Sequence, residues 1–419
     1  MRRNSPPAVQ FLWMEGPMPS MAGFEAELRT RFGDLLGANY PRFSHAEMKR
    51  REAAVADMMV AQGLDALIVA ESMRAGTATG WITGWPVTAE AVTAVVPDAP
   101  RRMFIQHYNH LPLARRLAWN TEVLWGEGSG IAKAADLIAV ATSDLSITGR
   151  ATVGVIGRIP AGEAERLSSM FRVVDMNRAY AQVRMIKSDE EVRWLELAAG
   201  LTDLAAMAIT ESARPGLDER TVVALVQNVY LATGGTNFIH YIDTTSMEAP
   251  DVAVPRQFPS GRILQKGDVL SCELSVDYWG YTGQILRTFF IGQEPNPLYR
   301  ELHTVADAAL DAVLTRVKPG THARELVEAS RMIEEAGFTV IDDLVHGYGG
   351  GYLPPVLGSA SRPSAGIPDM ELKAGMALVV QPNVSTRDGT AGVQTGNLVL
   401  VTEDGFRSLQ QFPRGWRVL

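Results

Sequence analysis

The sequence predicts two fold classes in tandem: a three-layer α/β domain, then an α+β domain of helices packed on a curved antiparallel sheet. Three observations carry this. Short apolar runs alternate with helical periods between Ser44 and Tyr180. A long capped helical stretch follows at 187–213. Beyond Gly267 the chain turns to strand-like segments and glycine-rich turns, interrupted by two further helical stretches. The expected organisation is an N-terminal arm at 1–43, an α/β domain at 44–180 and an α+β domain at 181–419.

The elements follow in chain order. Residues 1–40 show no clear period, and we expect them to lie on the surface or on a partner subunit. Ser44 is a candidate N-cap for a helix that ends at Gly63, and LDALIVA (64–70) reads as a buried strand. Further strands are expected at 91–97, 103–106 and 152–157, with helices at 110–119 and 130–142. The stretch 187–213 opens on Ser188 with Glu191 three residues on, which is the pattern of a capping box. A second helix at 218–235 closes on two glycines. GDVLSCELSVDYWGYTGQILRTFFIG (267–292) reads as a hairpin whose arms meet at Tyr278-Trp279-Gly280-Tyr281. Helices at 297–317 and 322–336 precede the last short strands.

Composition narrows the function. Hydrophobic residues make up 46% of 419 and charged residues 21%, enough for a large core. A net charge of −8 lacks the basic footprint that nucleic acid requires. No run reaches the ~20 apolar residues of a membrane span, and no apolar stretch of a leader follows MRRNSPP. The single cysteine, Cys272, fits a reducing compartment, so a cytoplasmic protein is expected. The expected partner is a small-molecule substrate.

Blocks from residue 187 onward resemble one known superfamily, in its order: KSDEEVRWLELAA, the hairpin GDVLSCEL…YWGYTGQILRTFFIG, VKPGTHARELVE, HGYGGGYLPP, LKAGMALVVQPNV and GNLVLVTEDG. The chain resembles the creatinase/aminopeptidase P (M24, pita-bread) superfamily over about 44–415. The resemblance implies a creatinase-type N-terminal domain, a pita-bread catalytic domain and a homodimer. The family's metallopeptidases hold two divalent ions with two aspartates, a histidine and two glutamates, whose anionic oxygens bridge the cations. At the matching positions this chain has Glu273, Gln284, His346, Gln381 and Gln394. An amide offers a carbonyl oxygen but no charge, so the resemblance implies no metal and no cofactor here.

The same resemblance implies that Glu273 and His346 are catalytic, Glu273 as base or nucleophile and His346 as proton shuttle. Gln284, Gln381 and Gln394 would bind a polar substrate. Arg256 stands where relatives carry a functional histidine; it is a carboxylate clamp or a surface arginine in a loop. His240 and Tyr241 lie where the family's substrate pocket begins, and His240 is an alternative base or a buried, satisfied histidine. Trp81, Trp85 and His107 are either contributors to a partner's site or ordinary packing. The expected function is a metal-independent hydrolase of a C–N bond in a small zwitterionic compound, similar to ectoine hydrolases and creatinases. Alternatives are a lyase or decarboxylase in the same cavity, or a non-catalytic binding protein. Peptidase activity is the least expected.

Overall fold

The computed structural model describes residues 19–73, 78–143, 150–362 and 366–419. The first 18 residues of the expected arm lie outside them. The chain divides into two compact units, one spanning Asn39–Arg184 and the other Met185–Leu419 with the segment before Asn39. Among the described residues no helix is long and apolar enough to cross a membrane.

The first unit is built on six strands: β1 (Ala66–Ser72), β2 (Glu90–Val95), β3 (Arg101–Ile105), β4 (Thr121–Trp125), β5 (Thr152–Ile156) and β6 (Arg172–Asp175), in the order β4-β3-β2-β1-β5-β6. β1 is antiparallel to β2 and parallel to β5. Its side chains alternate between two cores. Ala66, Ile68 and Ala70 pack with Ile131, Ala134 and Ile138 of the helix Gly130–Ser143. Leu67 and Val69 pack with Val55, Met59, Trp81 and Tyr180. Burial on both faces makes β1 a continuous apolar run, and each large side chain so buried contributes about 1.5–3 kcal/mol. β4 and β6 were not expected from the sequence. They are the sheet's edges, half-exposed, and lack that apolar signal.

In the second unit the helix Asp189–Ser212 begins with the expected reciprocal cap between Ser188 and Glu191. It is buried from Leu197 to Ile209 without a break, because the sheet and other helices enclose it. The part of the expected surface arm that is described is instead packed against this helix. Met21–Arg31 is helical, with Phe24 and Leu28 buried, and Leu28 sits over Gly200, where a Cβ would come within 2.5 Å of its Cδ2.

The sheet of this unit has a seven-strand path: β7 (Thr236–Ser246), β8 (Asp268–Tyr278), β9 (Ile285–Phe290), β10 (Val345–Gly347), β11 (Leu353–Leu357), β12 (Ala377–Val380) and β13 (Gly396–Val401). Their order is β11-β10-β12-β13-β9-β8-β7, every pair is antiparallel, and the sheet curls into a half-barrel. The β8–β9 hairpin turns at Trp279 and Gly280, with φ of 52° and 88°. Two successive positive φ values match a strand-twisting hairpin turn. The three-layer α/β unit and the pita-bread half are both as the sequence predicts.

Candidate active site

Sheet register decides which side chains meet. Tyr241 on β7 and Leu286 on β9 are the Cα partners of Glu273 on β8. Directly paired residues share a face, so Tyr241, Glu273 and Leu286 stand together, while His240, Leu274 and Ile285 face the other way. Gln284, just before β9, donates from Nε2 to Glu273 Oε1 at 2.5 Å. His346 on β10 stacks its ring on Tyr352, with centroids 4.0 Å apart and planes 19° from parallel. Gln381 follows β12 and donates its backbone N–H to Leu344 O. Gln394 precedes β13 and is pinned through its backbone N–H and C=O to the Thr288 hydroxyl.

Backbones are thus fixed while side-chain ends are open. Gln284 Oε1, both amide atoms of Gln381 and Gln394, and His346 Nε2 are buried without a hydrogen-bond partner. The Gln381 amide lies beside the His346 ring without closing a well-formed bond to it. A buried polar group left unpaired costs about 1–3 kcal/mol. Four side chains so placed lack bonds that a water or a polar ligand would supply.

Burial also sets protonation. It pushes the Glu273 carboxyl up to about 8, reinforced by the nearby Asp342 charge and opposed by the Gln284 bond. Burial pulls the His346 imidazole down to about 4. At neutral pH the site therefore holds a protonated carboxyl and a neutral imidazole: one proton donor and one acceptor.

Several expected site residues lie elsewhere. Arg256 is not a free carboxylate clamp: its backbone N–H and guanidinium bond Asp243, and Nη2 reaches Asp251 at 3.1 Å. His240 is not a base toward the cavity. It is on the opposite face from Glu273, bonded to Tyr230 Oη at 2.7 Å and to the Ile239 carbonyl. Trp81 and Trp85 are buried in the first unit, Trp81 edge-on to Tyr180, so they are packing residues rather than donors to a partner's site. His107 is exposed beside His110. The sequence reading missed Asp342, Asp343, Tyr348 and Tyr352. Their signal was available in IDDLVHGYGGGY, where two aspartates precede His346 and two tyrosines follow it.

Gly283 places Gln284. A Cβ there would sit 2.5 Å from Ala198 O and from Thr202 Oγ1. Gly283→Ala is expected to destabilise the protein by ~1–3 kcal/mol and to displace Gln284 from Glu273. Urea unfolding checks the first part; an unchanged midpoint would reject the close-approach account.

A family profile, "Metallopeptidase family M24", matches residues 193–403, which is half of the chain. The chain belongs to metallopeptidase family M24. Among M24 relatives it is similar to the Xaa-Pro dipeptidase of Pyrococcus furiosus, 27% identical over 270 residues, covering 63% of this chain and 74% of that protein. In structure it resembles the prolidase of Pyrococcus horikoshii OT3, with a TM-score of 0.71, 22% identity, and 87% and 99% of the two chains covered. It also resembles the dipeptidase PepE of Mycobacterium ulcerans, with a TM-score of 0.75, 23% identity, and 90% and 99% covered. These relatives overturn two expectations. A metal-independent hydrolase of non-peptide C–N bonds is not what the similar proteins are, and placing peptidase activity last is corrected by their names.

The M24 metal centre is a separate question of donor chemistry. Among the described residues, no group of three His, Cys, Asp or Glu side chains gathers in a way that could hold a metal ion. Glu273 and His346 are joined by three neutral amides, which cannot bridge two cations as carboxylates do. The residues present do not fit a dinuclear centre, and no step below runs through one.

Proposed function

We propose that this M24 protein hydrolyses short peptides, with Xaa-Pro dipeptides as the first substrates to test. The carrying observation is the set of unpaired amides around Glu273 and His346. The scissile bond of an Xaa-Pro dipeptide offers a carbonyl acceptor, its N-terminal amine offers N–H donors, and its C-terminal carboxylate offers further acceptors. Gln381 and Gln394 each present one donor and one acceptor to match them. The protonated Glu273 is suited to give its proton to the leaving nitrogen as the C–N bond breaks. The neutral His346 Nε2 is suited to take a proton from the water whose oxygen forms the new bond to carbon. A cytoplasmic homodimer is carried with this reading.

The test is release of free proline from a panel of Xaa-Pro dipeptides, beside matched Xaa-Ala dipeptides. Each is run with and without added Mn²⁺ or Co²⁺. Proline release in either condition supports the reading. Absence of cleavage in both, by a folded protein, rejects it.

A further inference from the structure

The first unit carries a histidine pair of its own. His107 and His110 bracket a single 3-10 turn, Tyr108–His110, between β3 and the helix Leu111–Leu117. The His110 backbone N–H closes that turn on the His107 carbonyl at 3.0 Å. In such a turn the side chains at i and i+3 eclipse, so the two imidazoles stand on one side of the chain. Their ring centroids are 5.0 Å apart, with planes at 78°.

A neutral imidazole binds a metal through one ring nitrogen while the other keeps its proton. At His110 the surroundings favour one of the two choices. Nδ1 lies 2.7 Å from Thr88 Oγ1. When Nδ1–H donates to that hydroxyl, the lone pair is left on Nε2 and the ring is held in one orientation. His107 is exposed, and its ring nitrogens have no hydrogen-bond partner among the described residues. Metal–nitrogen bonds of about 2.0–2.1 Å place two coordinating nitrogens roughly 3 Å apart. Rings with centroids 5.0 Å apart reach that spacing by rotation of the exposed His107 side chain. Of the other histidines, His240, His303 and His346 are buried. His45 Nδ1 accepts from Trp119 Nε1 at 3.2 Å, and His322 has both ring nitrogens engaged, by the Arg324 N–H and by Asp369.

Among the described residues no third His, Cys, Asp or Glu completes this pair, so the site is open rather than closed like that of a structural metal. Imidazole suits Cu²⁺, Ni²⁺ and Zn²⁺, whereas Mg²⁺ and Ca²⁺ take oxygen donors. We propose that His107 and His110 together bind a divalent transition metal of the Cu²⁺, Ni²⁺ or Zn²⁺ class, with Thr88 orienting His110 and water filling the remaining positions. The site lies within the first unit and is independent of the hydrolase reading.

Isothermal titration calorimetry on the intact, untagged protein uses the preformed Ni²⁺–nitrilotriacetate complex. The chelator leaves an adjacent pair of positions open on the metal, and its bulk and charge keep it away from the buried His346 and Glu273. Wild type is expected to bind the complex and to release it to imidazole. Loss of an outer hydrogen-bond partner alone costs roughly ten- to a hundredfold in metal affinity. His107→Ala and His110→Ala, which remove a donor outright, are each expected to weaken binding by about tenfold or more, and the exposed Thr88→Val by severalfold. His45→Ala and His322→Ala are expected to leave it unchanged. Melting temperatures check that each variant is folded, and the exposed His107 serves if His110→Ala is not. Absence of binding by wild type, or equal binding by wild type and the folded histidine variants at 107 and 110, overturns the site. Equal weakening by His45→Ala or His322→Ala overturns it as well, and unchanged binding by Thr88→Val overturns the orienting role of Thr88.

Discussion

Glu273→Gln is expected to lower kcat on a cleaved dipeptide by about a hundred- to ten-thousandfold, with KM changed only a few-fold. Glutamine fills the same space and can still bond Gln284, but it has no proton to give the leaving nitrogen. The wild-type pH profile carries the same signature. Activity should fall above about 8 as Glu273 loses its proton, and below about 4 as His346 gains one. Stability moves in a way that separates this from damage. The folded carboxyl is raised from 4.5 to about 8, so the native state holds a proton that the unfolded chain releases across that window. Wild-type stability from this group is fully present below 4.5 and is lost as pH rises to about 8. Glu273→Gln removes that loss, so its melting temperature should gain on wild type between pH 5 and pH 8.5. Calorimetry across that range checks it. A variant that is both inactive and less stable at pH 8.5 would argue for a structural role instead.

How much of this site was legible depends on where each signal lives. Glu273, Gln284, His346, Gln381 and Gln394 were readable because the blocks that carry them resemble those of the superfamily, and they fall at its metal-ligand positions. The register then made Tyr241 and His240 opposites: adjacent in sequence, they alternate across β7, so only Tyr241 shares a face with Glu273. That distinction needs the pairing of β7 with β8, and β7 itself is half-exposed and gave no apolar run. Arg256 was misread for a related reason. Its partners Asp243 and Asp251 are 13 and 5 residues away, and nothing in one sequence says that all three converge. The N-terminal helix was missed because its buried residues, Phe24 and Leu28, are too few to set a period; the tertiary contact with Gly200 decides it.

The second large effect is expected at Arg287, on the reverse face of the strand that carries Leu286. Its guanidinium is fully buried and is spent on main-chain carbonyls: Nε on Pro413 at 2.9 Å, Nη1 on Leu286 and Gly396 at 2.8 Å each, and Nη2 on Phe412 at 3.0 Å. The buried Asp203 carboxyl accepts from Gln411 N at 2.6 Å and lies within the field of this guanidinium. Burial draws Arg287 down only to about 10, so it stays charged at neutral pH. One side chain therefore joins β9, the start of β13 and the C-terminal segment 412–413. Arg287→Met keeps the length but takes the guanidinium donors away from four carbonyls and the cation away from Asp203. Removing one member of such a buried arrangement is expected to cost ~3–5 kcal/mol in urea unfolding. Arg287→Lys should fall between, because a compact ammonium lacks the planar fork that reaches three directions at once. The effect should extend to the cavity: Gly396 lies two residues after Gln394, and Thr288, next to Arg287, holds the Gln394 backbone. Loosening this corner should raise KM for a cleaved dipeptide before it lowers kcat, since in the proposed reaction Gln394 binds while Glu273 and His346 transfer protons. A Met variant within 1 kcal/mol of wild type would show that the carbonyls find other donors, and that the curved sheet holds Gln394 without this arginine.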